Sequence, residues 1–386
     1  MKRSLAVLLF GLAFAQAAFC SPTISGLKVT PIEPLGLAID YTVRGGTAND
    51  AGLTVSVTMA YGDIIYVAKA LVGDTSCLNG AHRVYWNVAK DGITLGDAKI
   101  DVTVAYKYFS RYCVIDLTKG SSATSYPITY LNAPPSGGFN TTEYKTTKLV
   151  LKRVDAGTFT MGALTEVNNQ PHTVTLTRPF YMGIFEVTQK QWELVMGSNP
   201  CASTSHGKGE TWPVYYVSYN TIRGSSEGAK WPATNSVDST SFLGKLRART
   251  GINFDLPTDA QWEYTCRAGT TTKYSYGDEK NGNYMWYCDN SSLMAHAVGT
   301  KEANPWGFYD MHGNVWEWCL DWYEGLDTAG TDPVGPSSSL SSLRVQRGGC
   351  YSKACDCASS ERGVFHPSVD DSGYATSGFR LSRILP

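Results

Sequence analysis

The sequence predicts an exported chain of two folded parts: a small all-β sandwich of immunoglobulin or fibronectin type, then a loop-rich α+β domain. Three observations predict it. Apolar and polar residues alternate with a period of two over the first hundred residues or so, a stretch at 118–147 turns to Ser, Thr, Gly, Pro and Tyr, and beyond it three capped helical stretches stand among long glycine-rich loops.

Lys2 and Arg3 precede an apolar run from Leu5 to Phe14 and then Ala15-Gln16-Ala17, the order of a secretory signal peptide covering 1–17. The run is too short to span a bilayer, and no later segment is long and apolar enough to do so. A secreted, periplasmic or cell-surface location without a transmembrane segment is therefore expected. Phe19 before Cys20 is bulkier than lipidation normally accepts. With a net charge of -1 and 17% charged residues, the chain lacks the basic excess of a nucleic-acid binder, so a protein, peptide or glycan ligand is the expected partner. Ten cysteines in an exported chain read as disulfides, with an odd one left over if Cys20 stays out of the pairing.

Within 23–117 the strand-like runs are Ile24 to Val29, Leu37 to Val43, Leu53 to Ala60, Ile64 to Ala70, His82 to Val88 and Ala98 to Phe109, separated by Gly, Asn and Asp. That spacing fits a small sandwich with Trp86 in its core, and Cys77 with Cys113 could bridge a loop to a late strand. Residues 118–147, with Ser121-Ser122-Ala123-Thr124 and Pro134-Pro135-Ser136-Gly137-Gly138, read as a linker or extended arm. An ordered domain then runs over 148–386 from Lys148-Leu149-Val150-Leu151. Its helices are expected at Gln189 to Met196, where Thr188 and Gln191 form a capping box and Gly197 is a stop; at Asp238 to Arg249; and after Thr258, capped with Gln261.

The densest functional signal is Gly307-Phe308-Tyr309-Asp310-Met311-His312-Gly313-Asn314-Val315-Trp316-Glu317-Trp318. It resembles the Gly-Asn-Val-Trp-Glu-Trp signature of the formylglycine-generating enzyme, or sulfatase-modifying-factor, family. Further motifs occur in that family's order: Gly157-Thr158-Phe159-Thr160-Met161-Gly162, Glu186-Val187-Thr188-Gln189, Leu256-Pro257-Thr258-Asp259-Ala260-Gln261-Trp262-Glu263-Tyr264, Arg347-Gly348-Gly349 and Gly378-Phe379-Arg380-Leu381. The resemblance implies a C-type-lectin-like fold for 148–386. It also implies a calcium ion surrounded by Gly313, Asn314, Val315 and Glu317, since calcium takes hard oxygen ligands in flexible loops. The alternative is that Glu317 and Asn314 hydrogen-bond to backbone while the tryptophans fill core. A second calcium site at Asn283, Tyr284 and Asn290 matches only loosely, and a solvated loop is the other reading.

Characterised family members oxidise a protein cysteine to formylglycine with copper held by two cysteines, and soft thiolates suit cuprous ion. By the same resemblance, Cys357 matches a structural cysteine and Cys266 its disulfide partner. The segment Gly349-Cys350-Tyr351-Ser352-Lys353-Ala354-Cys355-Asp356-Cys357 is several residues shorter than the catalytic pattern, and Lys353 stands where the first active cysteine would be. Cys350 and Cys355 do reproduce a spacing of five, as a displaced catalytic copper pair or as disulfide cysteines. Among candidate ligand contacts, His312 adjoins the signature, and Trp306 and Trp322 are aromatics in loop-like segments suited to sugar or peptide recognition or to core filling. Three functions remain open, and whether the chain is an enzyme remains open with them: a non-catalytic recognition or scaffold domain, a copper-dependent formylglycine-generating oxidase, and a structural or adhesive surface component.

Overall fold

The structure is a computed structural model that describes residues 23–32, 36–44, 54–61, 64–68, 71–73, 80–91, 100–107, 111–164, 169–201, 205–324, 330–352, 357–369 and 376–385. The expected signal peptide, Cys20, Cys77 and Cys355 lie outside them. The chain divides into a unit ending at Phe109 and a unit spanning Ser110–Leu385.

The first unit is built of β1 (Thr23–Ile32), β2 (Gly36–Arg44), β3 (Thr54–Tyr61), β4 (Ile64–Val67), β5 (Leu71–Gly73), β6 (Gly80–Asn87) and β7 (Ile100–Lys107). They form two antiparallel sheets, ordered β1-β2-β6-β5 and β4-β3-β7. Alternation does the work here. In β6 the residues His82, Val84 and Trp86 turn inward while their neighbours face out. Trp86 pairs across the ladder with Leu37 and is buried with Ile39, Tyr41, Val57, Met59 and Val102, so both sheets contribute to one core. Its indole N–H donates to Asp91 at 2.8 Å, leaving no buried donor unmet.

The second unit begins earlier than the sequence suggested. It contains β8 (Tyr112–Asp116), β9 (Ile128–Leu131), α1 (Thr142–Thr146), β10 (Lys148–Val154), β11 (Gly157–Met161), β12 (His172–Leu176), β13 (Phe180–Gly183), α2 (Gln189–Met196), α3 (Tyr219–Arg223), α4 (Phe242–Thr250) and α5 (Asp259–Arg267). There follow β14 (Trp316–Trp322), β15 (Gly330–Thr331), β16 (Arg344–Arg347), β17 (Arg362–Phe365), β18 (Ser377–Gly378) and β19 (Ser382–Ile384). Its main sheet is antiparallel in the order β19-β13-β10-β8-β9, accompanied by a sheet β11-β12-β15 and a sheet β17-β16-β14-β18.

Residues 118–147 are therefore not a linker, and the first unit does not extend to 117. Strand β8 pairs with β10, and β9 continues the same sheet. The polar composition of the segment hides three anchoring aromatics. Tyr126 is buried and its hydroxyl donates to the Leu194 carbonyl, while Phe139 packs on Tyr112 and Tyr144 with ring centroids 4.7 and 4.9 Å apart. A few buried rings suffice to fix a chain whose other residues satisfy their backbone groups in turns. Cys113 sits in β8 as a buried thiol of the second unit, so the proposed bridge from Cys77 to Cys113 is not formed.

The helices follow their capping chemistry. Both Thr188 with Gln191 and Thr258 with Gln261 form complete capping boxes, each contributing about 1 kcal/mol to its helix. Helix α4 starts at Phe242, later than the expected Asp238, because Ser241 is its cap. Asp238 instead accepts hydrogen bonds from the backbone of Ser226, Glu227 and Gly228.

Candidate functional site

The signature run enters β14 through a sharp loop. Gly313 has φ of +86°, and a Cβ there would collide with the Trp286 carbonyl, so glycine is required both for conformation and for space. Its N–H donates to the Gly348 carbonyl at 2.7 Å, and Asn314 N–H donates to that of Trp286 at 2.8 Å. These bonds pin the loop between two other loops.

Glu317, in β14, is wholly buried. One carboxylate oxygen accepts the Trp262 indole N–H at 2.7 Å and Arg380 Nε at 2.6 Å, and the other accepts Arg380 Nη2 at 2.5 Å. The two-pronged pairing neutralises the acid and occupies both oxygens. Arg380 spends its remaining donors on the carbonyls of Gly183, Ile184 and Tyr309. It ties the main sheet, the signature loop and β14 together.

Beside this pair, Glu186 accepts from Asn314 Nδ2 at 2.7 Å and from Val315 N–H at 3.2 Å, and Asp310 accepts from Gly299 N–H at 2.7 Å. Burial first, then the Asp310 and Glu317 charges, pushes the Glu186 carboxyl well above its ordinary value. Asp310 is pushed up to about 6, mainly by burial. The Asn314 Oδ1 accepts from His296 N–H at 2.9 Å.

Of the four residues expected to surround calcium, Glu317 has its charge matched by a buried guanidinium and Asn314 has its side chain held by Glu186 and His296, so neither side chain fits a calcium ion as arranged. At the looser second position, Asn290 closes a local turn with Tyr287 N–H and the Met285 carbonyl.

His312 is also interior. Its Nδ1 donates to the Cys357 carbonyl at 2.8 Å, and its Nε2 accepts from the Ser275 N–H at 3.2 Å, which fixes the neutral tautomer protonated on Nδ1. Burial pushes it down to about 4. It therefore braces loops rather than meeting a ligand. Cys266 Sγ lies 3.7 Å from His312 Nε2 and remains a thiol, so the disulfide expected between Cys266 and Cys357 is not formed in this structure; the imidazole contacts both residues and links their segments without it.

A proton-linkage prediction arises here. Below pH 6.5 the unfolded chain protonates this histidine while the folded chain does not until about pH 4. Its contribution is full above about pH 6.5 and is lost on acidification, at a rate approaching 1.4 kcal/mol per pH unit. Asp310 and Asp321, the latter pushed up to about 7 by burial and by the Asp259 charge, act oppositely, because their folded forms retain protons that the unfolded chain releases. The stability difference between the natural chain and His312→Gln should consequently shrink from pH 6.5 to pH 4 in urea titrations. A difference independent of pH would refute the neutral buried imidazole.

Cys350 packs in a small cluster with Tyr274, Met285, Trp316 and Ala358 and is fully shielded. The following backbone is fixed by Tyr351 N–H to the Asn314 carbonyl at 2.9 Å. Cys355 lies outside the described residues, so their mutual geometry is not described. Trp322 is half-buried with the Arg344 guanidinium 3.3 Å from its ring centre, a cation–π stack that braces β14 on β16. Trp306 is half-buried and lines an open pocket with Tyr264 and Lys152. Sequence reasoning missed Arg380, Glu186 and Asp310 as partners. The arginine of Gly378-Phe379-Arg380-Leu381, a charge inside an apolar motif, was the available signal.

The profile described as "Sulfatase-modifying factor enzyme 1-like domain" matches residues 138–385. The chain belongs to the sulfatase-modifying-factor family. Strands β8 and β9 precede that match yet complete the family domain's main sheet here. The sulfatase-modifying-factor domain is 33% identical over 190 residues to "Chaperone protein LppX" of Paenibacillus barcinonensis, covering 40% of this chain and 66% of that protein. It is 34% identical over 113 residues to "Formylglycine-generating enzyme" of Streptomyces coelicolor, covering 25% and 35%. The chain thus spans less than two thirds of either relative. Among solved structures, "Treponema denticola variable protein 1" is similar with a TM-score of 0.50 at 30% identity, covering 62% of this chain and 96% of that one. Among the described residues, no helix is long and apolar enough to cross a membrane.

Proposed function

We propose that the sulfatase-modifying-factor domain of this chain is a non-catalytic recognition domain, carried behind an immunoglobulin- or fibronectin-type sandwich on an exported protein. The observation that carries the reading is the burial of Cys350. A copper oxidase must bring a substrate thiol to its metal, and a sulfur enclosed by Tyr274, Met285 and Trp316 offers no approach to one. The signature loop points the same way: its acid is held by Arg380 and its asparagine by Glu186 and His296, so its polar groups serve architecture. The four-plus-three strand arrangement of the first unit supports the sandwich assignment. The leading basic and apolar residues of the sequence support export.

The test is a copper(I) titration of the reduced protein beside Cys350→Ser and Cys355→Ser, with an oxidation assay on a cysteine-containing sulfatase peptide. The expected result is no stoichiometric binding dependent on both cysteines, and no peptide aldehyde. Binding abolished by either substitution, together with aldehyde formation, would replace this proposal with the oxidase.

A further inference from the structure

The second unit holds a pocket to which the signature run contributes only Phe308, near its start. It has a volume of about 310 Å³, at the small end of ligand-sized cavities, and all its lining residues belong to the second unit. One wall is aromatic. The half-buried Trp306 meets Tyr264 edge-on with centroids 5.0 Å apart, and buried Phe308 lies behind. The opposite wall comes from β10 and the residue before β8, joined by the Arg153 N–H bond to the Arg111 carbonyl at 2.8 Å. It carries Arg111, Lys152, Arg153 and Asp155.

The charges there do not balance. Arg153 pairs with Asp155 at 2.9 Å, but among the described residues neither Arg111 nor Lys152 is matched with a carboxylate. The half-buried Lys152 ammonium donates to the Trp306 carbonyl at 2.5 Å and has donors to spare. Burial, and then the Arg111 charge, lowers its pKa. The half-buried Lys152 ammonium gains from an anion, and the exposed Arg111 guanidinium beside it adds attraction without a burial cost of its own.

We propose that this pocket binds a uronic acid residue of an acidic glycan. The carboxylate lies between Lys152 and Arg111, the apolar face of the sugar ring stacks on Trp306, and ring hydroxyls exchange hydrogen bonds with the Arg153–Asp155 pair. Each feature excludes a simpler ligand. An inorganic anion has no use for the aromatic wall, and a neutral sugar leaves the cations unmatched. The inference deepens the recognition reading by naming a ligand class. It uses side chains remote in sequence from Cys350, so the copper experiment and this one can fail separately.

Calorimetric titration of the full-length mature protein with methyl β-D-glucuronide tests it, beside methyl β-D-glucoside, acetate and benzoate. Saturable glucuronide binding is expected, weakened by salt, and at least about ten-fold tighter than the glucoside or acetate. Arg111→Gln, at an exposed position where misfolding is not a concern, and Lys152→Met should each weaken it about ten-fold, and Trp306→Ala should reduce the glucoside and glucuronide alike. Near-ultraviolet circular dichroism identifies any variant that has lost its fold. No saturable glucuronide binding, equal binding of acetate, or tighter binding of benzoate would overturn the proposal.

Discussion

Replacing Arg380 with methionine is expected to destabilise the second unit by about 3 to 5 kcal/mol, a large part of what a domain possesses. The guanidinium is wholly buried, and its loss would strand the Glu317 carboxylate, equally buried, with only the Trp262 indole as partner. It would also free the carbonyls of Gly183 and Tyr309, the first of them buried away from water. Urea unfolding measures the cost. Glu317→Leu combined with Arg380→Met should cost clearly less than the two single changes added, because the double variant leaves no isolated charge. A single-variant cost under about 1 kcal/mol, or simple additivity, would show that the pair does not hold the main sheet, the signature loop and β14 together as described.

Trp86→Ala should remove about 3 to 5 kcal/mol from the first unit, the usual range for emptying a large aromatic from a packed core. Trp86 is among the largest fully buried side chains and touches residues of both sheets, so no single strand can move to fill the space. Hydrogen exchange on the full chain resolves the effect by unit. Protection should fall along β2 and β6, which flank the site, while the amides of β10 and β13 keep theirs. Unchanged protection along β2 and β6 would contradict a core centred on this tryptophan.

What the sequence determined is what local chemistry and short periods encode. The strands of the first unit were legible where one face is buried, which forces alternation, as in His82, Val84 and Trp86. Helices α2 and α5 were legible because Thr188 and Thr258 cap them within three residues of their partners. Family membership was legible because several motifs stand in order across the second unit. The limits of the second unit were not, since Tyr126, Phe139 and Tyr144 look like residues of a polar arm until the surfaces that bury them are present. The site depended on tertiary structure even more. Glu317 and Asn314 have the composition of calcium ligands, and His312 that of a ligand contact. Only the arrival of Arg380, 63 positions along the chain, and of Glu186, 128 positions back, decides that these groups are spent inside the protein. The same holds for the pocket. Arg111, Lys152 and Trp306 are ordinary residues apart, and their charge becomes a demand for an anion only where the sheet sets them against one aromatic wall, because electrostatic and desolvation energies depend on distance in space and not on separation in sequence.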